Sequence, residues 1–142
     1  MSKNETKISR SDPDDDDLVR RAHAARAAAY SPYSKIQVGA ALRSKDGRVF
    51  TGCNVENASY GLTLCAERAA VMKAVSEGAR EFTSIAITTS LGHALMPCGA
   101  CRQVLSEFAP TLRVLVEGAT GARALARLDE LLPHAFRPSD LA

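Results

Sequence analysis

Two short segments, Cys65-Ala66-Glu67 and Pro97-Cys98-Gly99-Ala100-Cys101, constrain the fold of this chain more than any other feature. They lie about thirty residues apart and can share chemistry only if the fold brings them together. Three thiolates, from Cys65, Cys98 and Cys101, satisfy a tetrahedral Zn²⁺ and leave its fourth position for water, as in a catalytic rather than a structural zinc site. Glu67 stands two residues from one ligand, so it can face the same pocket without binding the metal. A carboxylate beside metal-activated water is what hydrolysis at a C–N bond requires. Two other readings use some of the same residues. A structural site needs a fourth protein ligand, and the nearby candidate is His93, in the turn-like Leu91-Gly92-His93, where a solvated histidine is the simpler expectation. A redox pair at Cys98 and Cys101 leaves Cys65 and Glu67 without a role.

The surrounding sequence reads as α/β, with 142 residues sufficient for one core and too few for two. Residues 1–15 are expected to form a disordered polar tail, and residues 16–142 a single catalytic domain. An alanine-rich helix is expected from Asp16 to Ala29, capped by the preceding aspartates, with Leu18, Val19, Ala22, Ala25 and Ala29 as its apolar stripe. Ile36 to Leu42 and Val49 to Cys53 read as a β-hairpin around the turn Lys45-Asp46-Gly47-Arg48. Cys53, outside the motif, reads as a small buried hydrophobe near a strand end. After a polar loop, 54–61, come a helix over 64–77 with Gly78 as its cap, a strand over 84–89 and a helix over 99–108. A buried strand over 112–116, an edge strand over 122–128 and a helical turn over 129–132 complete the order. That order implies a three-layer α/β/α sandwich around a mixed five-stranded sheet.

In this arrangement each motif segment opens a helix that follows a strand, where open α/β sheets bind ligands. The position also solves a charge problem. Three thiolates carry one negative charge more than the metal neutralises, which blunts its ability to lower the pKa of water from roughly 15.7 toward ~7. The positive ends of two helices offset this, and so does Arg68, which is placed to donate hydrogen bonds to the ligand sulfurs. Gln103 is a second candidate for that role.

Composition removes several classes of function. The cations are scattered, net charge is +2 and aromatics are only 5%, so neither a basic footprint nor a stacking platform for nucleic acid is present. No apolar run nears the ~20 residues of a membrane span, and the polar start does not resemble an export signal. A cytoplasmic location follows as the expectation, and with it thiols that serve metal rather than disulfides.

Read together, the residues resemble a known family. Cys65-Ala66-Glu67-Arg68 with Pro97-Cys98-Gly99-Ala100-Cys101-Arg102-Gln103 matches the wider zinc deaminases, for which a three-cysteine ligand set is known. Gly52-Cys53-Asn54-Val55-Glu56-Asn57-Ala58, Pro32-Tyr33-Ser34, Val38 to Leu42 and Leu131 to Phe136 narrow the likeness to the small, homotetrameric cytidine deaminases. The resemblance spans about Leu18 to Leu141. It implies a cytidine deaminase-like fold, one Zn²⁺ per subunit, and a hydrolase of pyrimidine salvage that converts cytidine or 2′-deoxycytidine to the uridine product and ammonia. It also implies that Glu67 moves the protons and that Asn54 and Glu56 hold the ribose hydroxyls. Ala66 and Tyr60 would touch substrate, and Phe136 would reach a neighbouring subunit's site, although the bare sequence reads Phe136 as a C-terminal core anchor.

The chain departs from the pattern at Ile36, where many members carry a phenylalanine that stacks on the pyrimidine. An aliphatic side chain keeps an apolar wall but loses ring-on-ring geometry worth ~1 kcal/mol. Two alternatives remain at this point: a deaminase of a modified cytosine nucleoside such as blasticidin S, or a non-catalytic zinc-stabilised binding module. The Glu56-Asn57 pair favours ordinary ribose recognition over the first.

Overall fold

The computed structural model of the chain describes residues 13–142. Helix α1 (Pro13–Arg26) starts three residues before the expected boundary. Proline's fixed φ suits the first helical position, and Asp14, Asp15 and Asp16 occupy the first turn, where the helix dipole favours anions. Asp14, Asp15 and Asp16 therefore sit inside the helix, while Asp12 lies outside the described residues. This corrects the tail boundary: residues 13–15 belong to the domain, and the rest of the expected tail lies outside the described residues. Asp15 is only 2% exposed, and Arg113 binds both of its carboxylate oxygens. The helix ends at Arg26, so Ala29 drops out of the stripe and Leu18, Val19 and Ala22 carry it.

The remaining elements follow the expected order with shifted ends. They are β1 (Val38–Ser44), β2 (Val49–Cys53), α2 (Ala66–Ser76), β3 (Phe82–Thr89), α3 (Gly99–Phe108), β4 (Arg113–Glu117), β5 (Arg123–Arg127) and α4 (Leu128–Leu131). Single 3₁₀ turns occupy Tyr60–Leu62 and Pro138–Leu141. Ile36 and Gln37 fall outside β1, and α2 begins two residues later than expected because Cys65, still extended, is its N-cap. Gly78 follows the C-cap Glu77 with φ 94°, the left-handed conformation that ends helices.

The sheet runs β2-β1-β3-β4-β5, with β3 and β4 parallel and every other neighbouring pair antiparallel. Alternation along the strands splits the core into two layers. Ala40, Leu42, Ile85, Ile87, Val114 and Val116 face α2 and α3, whereas Ala41, Ala86 and Leu115 face α1. The three-layer α/β/α sandwich is thus built by the period-two pattern of three central strands.

Two glycines set how closely the helices approach. A Cβ on Gly39 would stand 2.0 Å from the Ala22 carbonyl oxygen, and one on Gly52 would stand 2.6 Å from both Ala66 O and Ala70 N. The second contact matters for function, because it fixes the start of the helix that carries Cys65 and Glu67. Gly52→Ala must push α2 off the sheet, at an expected cost of about 1–3 kcal/mol. Thermal denaturation should show a midpoint lowered by roughly 3–10 °C; an unchanged midpoint would mean that α2 tolerates displacement.

Candidate active site and metal centre

The two motif segments meet at the helix N-termini. Cys65 caps α2 and Cys98 caps α3, both with extended backbone, while Cys101 sits in the first turn of α3 and is buried. Their three Sγ atoms all lie within 4.8 Å of one another, and Cys65 and Cys98 are 3.9 Å apart. Zn–S bonds of about 2.3 Å in a tetrahedron separate the sulfurs by roughly 3.8 Å, so the cluster fits the ion. The group stops at three ligands. His93 is exposed and outside it, which removes the structural-zinc reading among the described residues. The redox-pair reading of Cys98 and Cys101 fails too, because Cys65 joins them.

Charge and hydrogen bonding around the sulfurs favour the thiolate at Cys65. Arg68 donates from one terminal nitrogen to Cys65 Sγ at 3.3 Å, as the sequence led us to expect. Cys65 has its pKa lowered to about 5, chiefly by a hydrogen bond from Cys101 and then by the Arg68 guanidinium. Cys101 moves the other way, above the usual thiol range, because its bond to Cys65 and its burial both hold the proton on. The Cys101 thiol thus hydrogen-bonds to the Cys65 sulfur. Arg68 Nε is buried without a hydrogen-bond partner, so that side chain is held for its charge and its terminal nitrogens. Gln103 acts elsewhere, since its amide donates to the Phe136 carbonyl at 2.8 Å.

Glu67 follows Ala66 in the first turn of α2 and is only 5% exposed. Burial pushes its carboxyl above the ordinary carboxylate range. It opens onto a cleft of about 280 Å³ lined also by Cys65, Cys98 and Ala66. Ile36, Val38, Ile87, Leu95 and Met96 form the apolar wall of that cleft, and Ser34, Asn54, Thr63 and Thr89 contribute its polar groups. A buried carboxylate, a three-thiolate metal site and an apolar slot can together take up a flat heterocycle and hydrolyse a bond on its edge.

Asn54 and Glu56 are both at this end of the molecule, with more local work than the sequence suggested. Asn54 Oδ1 accepts from Val38 N at 2.8 Å and its Nδ2 donates to the Ile36 carbonyl at 2.8 Å, so it clamps the segment bearing the apolar wall. One Nδ2 proton remains. Glu56 lies in an adjoining pocket with Tyr33, Ser34, Tyr60 and Thr63. Its carboxyl is held below the ordinary range, first by the Ser34 hydroxyl and then by the backbone N–H groups of Ser34 and Tyr33. Ile36 stands in the cleft as expected.

Tyr60 lines that adjoining pocket rather than the cleft, packs edge-to-face on Tyr33 at 5.9 Å, and is 76% exposed. Phe136 is 60% exposed and lines neither space, which overturns its reading as a core anchor. Cys53 is half-buried rather than fully buried, since β2 is an edge strand. Sequence reasoning passed over Thr63, Thr89, Leu95 and Met96, and gave Ser34 no role. Only Ser34 carried a signal, as part of Pro32-Tyr33-Ser34; the others reach the cleft from loops and strand ends whose course depends on tertiary contacts.

Comparison with known proteins agrees with this geometry. Residues 12–117 match the family model for the cytidine and deoxycytidylate deaminase zinc-binding region. A cytidine deaminase of Halalkalibacterium halodurans is 49% identical over 125 residues, covering 87% of this chain and 95% of its own. Among solved structures, the cytidine deaminase of Burkholderia pseudomallei superposes with a TM-score of 0.82 at 48% identity, covering 85% of this chain and 98% of the other. That of Mycobacterium tuberculosis gives 0.77 at 48% identity, covering 88% and 98%.

Proposed function

The chain belongs to the family of zinc-binding cytidine and deoxycytidylate deaminases, and on that premise we propose how its cleft carries out zinc-dependent hydrolytic deamination of cytidine and 2′-deoxycytidine. The observation that carries the reading is the buried Glu67 carboxylate beside the three-sulfur cluster, lining an apolar cleft with Cys65 and Cys98. Cys65, Cys98 and Cys101 would hold one zinc ion per subunit. When bound, that ion makes a water acidic enough to act as hydroxide near neutral pH.

This chain's own groups do the rest. Glu67 accepts a proton from the attacking water and delivers it to N3 of the base; it then takes the proton of the new C4 hydroxyl, which becomes the carbonyl, and passes it to the departing amine. Its elevated proton affinity, caused by burial, suits a group that must take a proton and give it back. Ile36, Val38 and Leu95 hold the base against the apolar wall, and Ala66, small and fully buried, leaves room for its edge. Asn54 and Glu56 engage the sugar hydroxyls, with the capacity left over from their backbone bonds. Arg68 keeps the thiolate charge balanced.

Ile36→Phe should restore ring stacking on the base and lower KM for cytidine about fivefold, the equivalent of ~1 kcal/mol. Unchanged kinetics on every pyrimidine nucleoside tested would contradict a role for this wall in base binding.

The same reading places the protein in the cytoplasm, in pyrimidine salvage, as a homotetramer whose Tyr60 and Phe136 reach neighbouring subunits. The exposure of both rings supports it, and no helix among the described residues is long and apolar enough to cross a membrane. Light scattering should give about four times the 15.1 kDa chain mass. Initial rates followed by ultraviolet absorbance should show turnover of cytidine and 2′-deoxycytidine and none of blasticidin S. The reverse preference would replace the proposed substrate.

A further inference from the structure

Ser34 occupies the seam between the two spaces of the site. It lines both the cleft and the adjoining pocket of about 400 Å³, a position it shares with Thr63. Its hydroxyl proton goes to Glu56 Oε2 at 2.5 Å, and its oxygen accepts the Ile36 N–H at 3.0 Å. Its backbone N–H donates to Glu56 Oε1 at 3.1 Å, beside that of Tyr33 at 3.0 Å. One side chain therefore touches both the carboxylate assigned to the sugar and the backbone of the residue that walls the base.

The local backbone is bent to make this contact. Lys35, between Ser34 and Ile36, has φ 62°, a left-handed conformation that a lysine adopts only when its surroundings impose it. The bonds also limit what Glu56 can do. A carboxylate offers about four acceptor positions; Ser34 Oγ, Ser34 N and Tyr33 N take three. Room remains for one further strong bond. Both oxygens are tied, so the carboxylate cannot rotate to seek its partner.

We propose that Ser34 is a positioning residue: it aims the last acceptor of Glu56 at the nucleoside sugar and sets the distance from there to the base wall at Ile36. This rests on the reading that Glu56 binds the sugar. Losing the hydroxyl frees the carboxylate to rotate and leaves the Ile36 N–H without its partner, so substrate binding weakens while the proton transfers at Glu67 proceed.

The test is a set of steady-state measurements with cytidine on the zinc-loaded enzyme. Ser34→Ala and Glu56→Gln should each raise KM about tenfold, with kcat falling less than threefold. The double variant should be no worse than Glu56→Gln alone, because Ser34 acts through Glu56. Ser34→Thr, which keeps the hydroxyl, should return KM to within threefold of the parent value. If Ser34→Ala does not fold, Ser34→Cys, nearly isosteric and a weak donor, carries the same expectation. Should Glu56→Gln leave KM unchanged, the sugar reading fails and the proposal falls with it. Should Glu56→Gln raise KM while Ser34→Ala does not, or should the two effects multiply in the double variant, the proposal alone is overturned.

Discussion

Glu67→Gln is expected to abolish turnover while leaving the metal in place. The substitution keeps the shape and the burial of the side chain but removes its ability to take up and release a proton. A general acid–base group contributes about 10²–10⁴ in rate, and Glu67 serves both the attack and the departure of the amine, so a loss toward the upper end follows. The amide leaves the three converging sulfurs of Cys65, Cys98 and Cys101 in place as the ligand set. Zinc content by elemental mass spectrometry should therefore equal that of the parent. Substantial activity at normal zinc content would remove Glu67 from the reaction.

Cys101→Ser should fail in the opposite order, through loss of the metal first. Cys101 is the buried member of the cluster, and its thiol hydrogen-bonds to Cys65. A hydroxyl is a poor zinc donor at neutral pH, and two thiolates hold the ion far less firmly than three. Zinc content should fall well below one per chain, and the rate by on the order of 10³-fold or more, since metal assistance is worth several kcal/mol. Arg68 would then face one thiolate charge fewer. A Cys101→Ser protein with full zinc and near-parent activity would mean that the three sulfurs are not the ligand set.

The metal site was readable in the sequence because its ligands are tied to features the chain announces locally. Cys65 and Cys98 each precede a helical run and follow a strand, so cap position, ligand spacing and strand order all placed them together. Glu67 followed from its spacing to Cys65. The layers of the fold were equally open to reading, because a helix, a hairpin and then alternating strands and helices imply a sheet covered on both faces.

What the sequence hid depends on partners remote in the chain. Asn54 looked like a free sugar ligand, yet most of its amide is engaged by the backbone of Ile36 and Val38. The Asp15–Arg113 pair, which holds the start of α1 to β4, joins residues 98 apart, and nothing local marks Asp15 as buried. The loop carrying Leu95 and Met96 is fixed from both sides. Ser90 exchanges hydrogen bonds with Gln37, and Ala119 N donates to the Leu91 carbonyl at 2.7 Å. Gly118 lies against the same loop so closely that a Cβ there would be 2.5 Å from His93 C. No periodicity or spacing encodes such contacts; they exist only once the sheet is assembled.

Hydrolysis of the C4 amine of a cytosine nucleoside at the Cys65–Cys98–Cys101 site and Glu67 can be followed atom by atom. The zinc-loaded protein is incubated with cytidine in ¹⁸O-enriched water, and the products are analysed by mass spectrometry alongside an ammonia assay. The expected products are uridine carrying one ¹⁸O at C4 and one ammonia per uridine formed, both absent after chelation of the metal. Cytidine recovered unchanged, or uridine formed without label or without the metal, would contradict hydrolysis at this site.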